Sequence, residues 1–140
     1  MRARMFKPQF APLVKSGAKR QTIRPLPKRM PKVGDHESWR QWAYKPYKSP
    51  PDGSPAQIEL AQVELTSVSR VYIDWEGVFI EGFNFFGLIA TADGFKDWSE
   101  MREWFNNQHG LPFKGILIKA RDLVAKDYLT DPNHFANQVR

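Results

Sequence analysis

Nine of the eleven prolines in this 140-residue chain fall before residue 56. Proline fixes φ and removes a backbone donor, so it cannot sit inside a helix or a central strand without breaking it. Residues 25–34 (Pro25, Pro27, Pro31) and 45–56 (Pro46, Pro50, Pro51, Pro55) therefore read as loops. Regular structure is confined to short pieces between these loops and to the longer stretch after them. Residues 4–7 read as a first strand. A helix beginning at Pro8 carries Phe10, Leu13 and Val14 on one face and stops at Gly17. Residues 19–24 form a strand closed by Pro25, and the basic loop after it ends in the turn pair Gly34-Asp35. Residues 37–44 are a further strand. Ile58, Leu60, Val63, Leu65, Val68, Val71 and Ile73 mark one long strand with a break, or two strands. Trp98, Met101, Trp104 and Phe105 recur at helical spacing over 97–108, with Gly110 beyond, and 115–120 (GILIKA) is a buried strand. Strands dominate, with one early helix and one before the last strand. That order predicts an α+β barrel with flanking helices rather than alternating βαβ units. With no internal repeat and no linker, 1–140 reads as a single domain whose core spans about 5–120; the tail 121–140 carries no assignment.

Composition removes several classes of function. There is no cysteine, which excludes disulfides and thiolate metal sites and fits a reducing cytoplasm. His36, His109 and His134 lack ligand spacing, so no metal and no cofactor is expected. A zinc-dependent base deaminase is excluded, because its Cys and His ligands are missing. No stretch has the apolar length of a membrane span, and the first residues lack the apolar core of a signal peptide. The expectation is a cytoplasmic protein with no membrane partner.

Charge is unevenly spread. Residues 1–50 hold 13 Lys or Arg against Asp35 and Glu37 alone, a formal +11, while residues 51–140 hold 8 basic and 13 acidic residues, a formal −5. A basic half of this kind either meets an anion, most simply nucleic-acid phosphate, or is a solvated surface. Trp39, Trp42, Tyr44 and Tyr47 lie among these cations and offer surfaces for base stacking.

The most informative local pattern is Gly17-Ala-Lys19-Arg20-Gln-Thr22-Ile-Arg24, or G-x-K-x-x-T-x-R. With Gly34-Asp35 and with Asp93-Gly94-Phe95 ahead of the helix at 97–108, it resembles the ASCH family, whose fold is a PUA-like β-barrel. The resemblance covers about residues 5–120. Many members carry Glu where this chain has Thr22; the Thr form is similar to bacterial N(4)-acetylcytidine amidohydrolases, whose working residues are a Lys, a Thr and a Glu. The resemblance thus implies Lys19 and Thr22 as catalytic residues, with Asp93, one methylene shorter, in the place of the Glu. It implies a modified nucleoside or RNA as the partner.

Side chains alternate along a strand, which puts Thr22 and Arg24 on one face. Lys19 has the opposite parity and joins them only if it lies in the turn before the strand. A buried Lys beside Arg24 has its charged form disfavoured and becomes a candidate base, able to deprotonate Thr22 or a water for attack on an amide carbonyl. Asp93 would then protonate the leaving amine. Arg24 would hold an oxyanion, a carbonyl or a phosphate. Arg20, Trp42 and Tyr44 complete the candidate substrate-binding set.

Each of these residues also has a plain structural reading. On that reading Lys19 and Arg24 are ordinary surface cations or pair with acidic residues to hold the loop, Thr22 is a strand-favouring residue, and Asp93 is a cap for the helix at 97–108. Trp98, Trp104 and Phe105 belong to the core by their spacing, and Phe79, Phe83, Phe85 and Phe86 to the core or a pocket wall. Trp42 and Tyr44 share a strand face that is either core or platform. Two functions follow from these alternatives: an amidohydrolase acting on an acylated cytidine or similar base, or a protein that binds RNA, or cleaves it weakly, through a basic groove. Hydrolysis needs Thr22 and Asp93 together; phosphate binding needs neither.

Overall fold

The structure, a computed structural model, describes residues 1–123, the side chains of Phe86 and Gly87 excepted. Most of the unassigned tail, from residue 124 on, lies outside these. Among the described residues the architecture is mixed α+β: one seven-stranded sheet and three helices. The strands are β1 (Arg2–Met5), β2 (Gln21–Pro25), β3 (His36–Trp42), β4 (Gln57–Ile73), β5 (Val78–Ile80), β6 (Phe83–Asn84) and β7 (Phe113–Asp122); the helices are α1 (Ala11–Ser16), α2 (Phe86–Ala92) and α3 (Trp98–Gln108).

The hydrophobic run from 58 to 73 is one strand of 17 residues rather than two. The expected break is a pair of register irregularities, at Trp39/Arg40 against β3 and at Leu65/Ser67 against β7. Such bulges bend a strand without ending it. The bent β4 can therefore pair β3 through its first half and β7 through its second. β1 adds in parallel to β3, and β2 antiparallel to β7. No backbone ladder joins β1 to β2 among the described residues, so the sheet is not closed into a barrel. A side chain spans that gap instead: Arg24 Nη2 on β2 donates to the Met5 carbonyl on β1 at 2.8 Å.

The core gathers the inward faces of the sheet and helices. Trp39, Val63, Ile73, Val78, Met101 and Phe105 are buried in it, with Phe6, Phe10 and Phe95 packed among them. The helix at 97–108 falls where expected, and its N-cap is Asp97, whose carboxylate accepts from the Glu100 N–H at 2.9 Å. A buried ion pair ties β1 to β3: Arg4 donates from Nε and Nη2 to the two oxygens of Glu37 at 2.7 and 2.6 Å, and Trp39 Nε1 donates to Glu37 Oε1.

Three short elements, β5, β6 and α2, occupy the stretch whose phenylalanines are expected in the core or in a pocket wall. Phe83 and Phe85 are exposed there rather than buried, while Phe79 pairs with Tyr72 across the strands. Phe86 falls outside the described side chains. Trp39 is fully buried and so offers no stacking surface. No helix of the described residues is long and apolar enough to cross a membrane.

Candidate functional site

Gly17 sets the local geometry. At φ 91° it ends α1 in the left-handed region that glycine enters without a Cβ penalty, and the chain doubles back so that the Lys19 N–H donates to the Leu13 carbonyl. β2 begins only at Gln21, so Lys19 lies in the turn ahead of the strand and is freed from its alternation. Lys19, Thr22 and Arg24 consequently line one cavity, as the parity argument required.

Asp93 reaches the same cavity from the far side of the molecule. It follows the last turn of α2, and its N–H donates to the Ile89 carbonyl. Gly94 at φ 98° completes the turn, with the position of its missing Cβ only 3.0 Å from the Phe10 ring. Because Asp97 is the cap of α3, Asp93 is released from that role. Its carboxylate instead meets Lys19 Nζ at 3.1 Å, and Gln21 Nε2 approaches it at 3.5 Å. Lys19 Nζ also donates to the Asp93 backbone carbonyl at 2.5 Å.

The cavity encloses about 170 Å³. Phe6, Phe10, Trp104 and Phe105 supply aromatic walls, and Lys7, Gln108 and His109 stand with them in the lining. Lys19 Nζ lies 5.0 Å from the Phe10 ring centre, and the Arg24 guanidinium 4.8 Å from that of Phe6. Thr22 Oγ1 accepts from Arg24 Nε at 2.9 Å, which leaves the hydroxyl proton of Thr22 for another acceptor. Lys7 Nζ donates to Gln108 Oε1, joining the segment after β1 to the end of α3.

Burial decides the electrostatics. Lys19, Thr22 and Asp93 are 2%, 4% and 4% exposed. Burial lowers the Lys19 pKa below the ordinary lysine value, with Asp93 opposing and Arg24 adding to the fall. Burial likewise raises the Asp93 carboxyl, against the pull of Lys19, Gln21 and Arg24. The two shifts favour the same exchange: the ammonium gives up its proton more readily, and the carboxylate holds one more readily. A pair of this kind titrates as a unit, and one of its two proton arrangements is a neutral amine beside a carboxylic acid. Arg24 is pushed down to about 10, first by burial and then by the neighbouring Arg4. The His109 imidazole is lowered by burial, Lys7 and Arg24, which favours its neutral form.

The other expected binding residues are not brought to this cavity. Arg20 caps α1 instead: Nη1 donates to the Val14 carbonyl at 2.6 Å, and Nη2 pairs with Asp122 at 2.9 Å. β3 ends at Trp42, so Tyr44 is a loop residue rather than its partner on a strand face. Trp42 packs against Tyr47, with ring centres 4.9 Å apart, and Tyr44 is exposed beside Lys45. Residues that sequence did not single out for this role also contribute. Trp104 and Phe105 are wall as well as core, and Gln21 steadies Asp93. No local pattern marks Lys7, Gln108 or His109; only the packing of α3 against the end of β1 assembles them.

A larger and more open depression of about 570 Å³ lies between Leu26, Val71, Tyr72, Phe79 and Gly115. Of its charged residues Arg70, Glu81 and Lys114 are exposed and Asp74 is half-buried, whereas Lys19 and Asp93 are buried. Among the described residues, no three His, Asp or Glu side chains gather as a metal site. No protein-family model, curated protein or solved structure matches the chain.

Proposed function

We propose that this chain is an ASCH domain of the PUA-like kind that hydrolyses the amide of N(4)-acetylcytidine or a similar acylated base. One observation carries the reading: Lys19, Thr22 and Arg24 of the G-x-K-x-x-T-x-R segment and Asp93, 69 or more residues away in sequence, meet at a single buried, aromatic-walled cavity. A small domain gains nothing in stability from burying a lysine, a threonine and an aspartate together, so their convergence favours chemistry. The hydrogen bond from Arg24 on β2 to the Met5 carbonyl on β1, across the open edge of the sheet, supports the barrel reading.

In this reading the neutral amine of Lys19 takes a proton from Thr22, or from a water that Thr22 places, and the resulting oxygen attacks the acyl carbon; where Thr22 itself attacks, a water then cleaves the acyl ester it forms and restores the hydroxyl. Arg24 stabilises the oxyanion that develops. Asp93, whose carboxyl is raised by burial, gives a proton to the departing amine nitrogen. A cavity of about 170 Å³ is smaller than the usual ligand pocket of about 300–1,000 Å³. It suits one base and its acyl group, with the aromatic walls gripping the ring and any remaining chain left outside.

Thr22→Val keeps the shape of the side chain and removes the hydroxyl, and is expected to lower kcat by about 10²–10⁴. Asp93→Asn should lower kcat while moving KM little, because it removes a proton and almost no volume. Steady-state kinetics on the acetylated nucleoside check both. If either variant turned over at the wild-type rate, the role given to that residue would be wrong.

The RNA-binding reading has its own support, in the solvent-facing Tyr47 packed at a tilt against Trp42, with Lys45 and Lys48 beside it in sequence. Its test is the salt dependence of single-stranded RNA binding, where log affinity should fall with log salt by about 0.7 per phosphate neutralised. A flat profile would remove it.

A further inference from the structure

Arg24 lacks the partner that its surroundings demand. Its Nε goes to the Thr22 hydroxyl and its Nη2 to the Met5 carbonyl, both neutral acceptors. It forms no ion pair among the described residues, and the two carboxylates nearest in its field are engaged elsewhere, Glu37 by Arg4 and Asp93 by Lys19. Nη1 has no hydrogen-bond partner among the described residues, yet no buried side-chain nitrogen or oxygen is left unsatisfied, so Nη1 opens towards free space. The cavity that Arg24 lines holds Lys7, Lys19 and Arg24 against Asp93 alone. A largely desolvated guanidinium whose two nearest carboxylates are ion-paired with other cations is costly, and an anion that enters beside it recovers part of that cost.

We propose that the free side of Arg24 is a subsite for a small carboxylate, and that it retains the acid released by the reaction. The origin of that acid rests on the amidohydrolase reading; the anion site itself does not. Hydrolysis breaks the C–N bond of the amide. Water supplies oxygen to the acyl carbon and hydrogen to the nitrogen, and the acid formed loses a proton to give a carboxylate. The substrate is neutral at its acyl group, whereas this product carries the charge that Arg24 lacks. The product therefore binds more tightly than the group it came from, and the enzyme is inhibited by its own acid. Carboxylate is favoured over phosphate by the confined volume and by the planar guanidinium seated over the Phe6 ring, which suits a flat, singly charged partner.

The test titrates the whole protein with sodium acetate, and separately with inorganic phosphate, against sodium chloride at matched ionic strength, using calorimetry and thermal unfolding. Saturable acetate binding that raises Tm above the chloride control is expected. Arg24→Gln should weaken it by about tenfold or more, whereas Lys28→Gln, in an exposed loop, should leave it unchanged. Arg24→Lys keeps the charge and loses the fork. It should also bind acetate more weakly than wild type, which provides a reading if the Gln variant does not fold. Absence of saturable acetate binding, a preference for phosphate, or binding unaltered in both Arg24 variants would overturn the proposal. Acetate binding without turnover of acetylcytidine would support this subsite and contradict the amidohydrolase reading. Turnover with no inhibition by acetate would do the reverse.

Discussion

Arg4→Ala is expected to destabilise the fold by about 3–5 kcal/mol, the cost of leaving a buried charge without its partner. Glu37, 1% exposed, would keep only the Trp39 indole N–H of its present side-chain partners. The partner's effect is visible in the carboxyl itself: burial pushes the Glu37 pKa up, but the hydrogen bonds and charge of Arg4 outweigh burial and hold it below the ordinary range. Stability from a lowered carboxyl is present above its unfolded pKa and is lost as pH falls through the folded one. Arg4→Ala should therefore erase the acid-side slope as well as lower the plateau. Urea unfolding across pH checks both. The double variant Arg4→Met/Glu37→Leu should recover most of the loss, because well-packed apolar groups often replace a buried pair at little cost. A single variant that unfolds like the wild type would mean that the pair does not hold β1 to β3.

Lys19→Met is expected to lower deacylation by about 10²–10⁴, the contribution of a positioned general base. Methionine keeps much of the length and packing of the side chain on Phe10 while removing the amine. The pH dependence gives the sign. The neutral amine and the protonated carboxyl are the active forms, so the wild-type rate should rise with pH as the Lys19–Asp93 pair loses its first proton and fall as it loses the second. Between the lowered Lys19 value and the ordinary lysine pKa the unfolded chain holds more protons than the folded one, so this group makes the fold more stable as pH rises. Both trends should be missing from Lys19→Met. A variant that keeps the wild-type rate would exclude Lys19 as the base.

Much of the frame is legible in the sequence. Gly17, the run from 58 to 73, the 97–108 spacing and GILIKA each carry a strong local signal, and each matches an element to within a few residues. Prolines mark both long loops for the same reason. The stretch from 78 to 92 is different. Its elements are of two, three and seven residues, too short for a period to show, and its phenylalanines suggest a core that the hairpin of β5 and β6 leaves partly exposed. The site divides in the same way. The grouping of Lys19, Thr22 and Arg24 follows from a turn and a strand, both local. Arg20, one residue along, is drawn away by the carbonyl of Val14 at the end of α1 and by Asp122, which sequence parity does not reveal. Arg4 and Glu37 are 33 residues apart, and only the parallel pairing of β1 with β3 makes them a pair.

The most direct test of the account follows N(4)-acetylcytidine with purified protein by proton NMR, where bound and released acetyl groups have separate methyl signals. Catalytic release of acetate with equimolar cytidine is expected, with a rate that rises and then falls with pH, and is missing from Lys19→Met and Thr22→Val. Acetylcytidine that stays intact with correctly folded wild-type protein, at every pH tried, would contradict it.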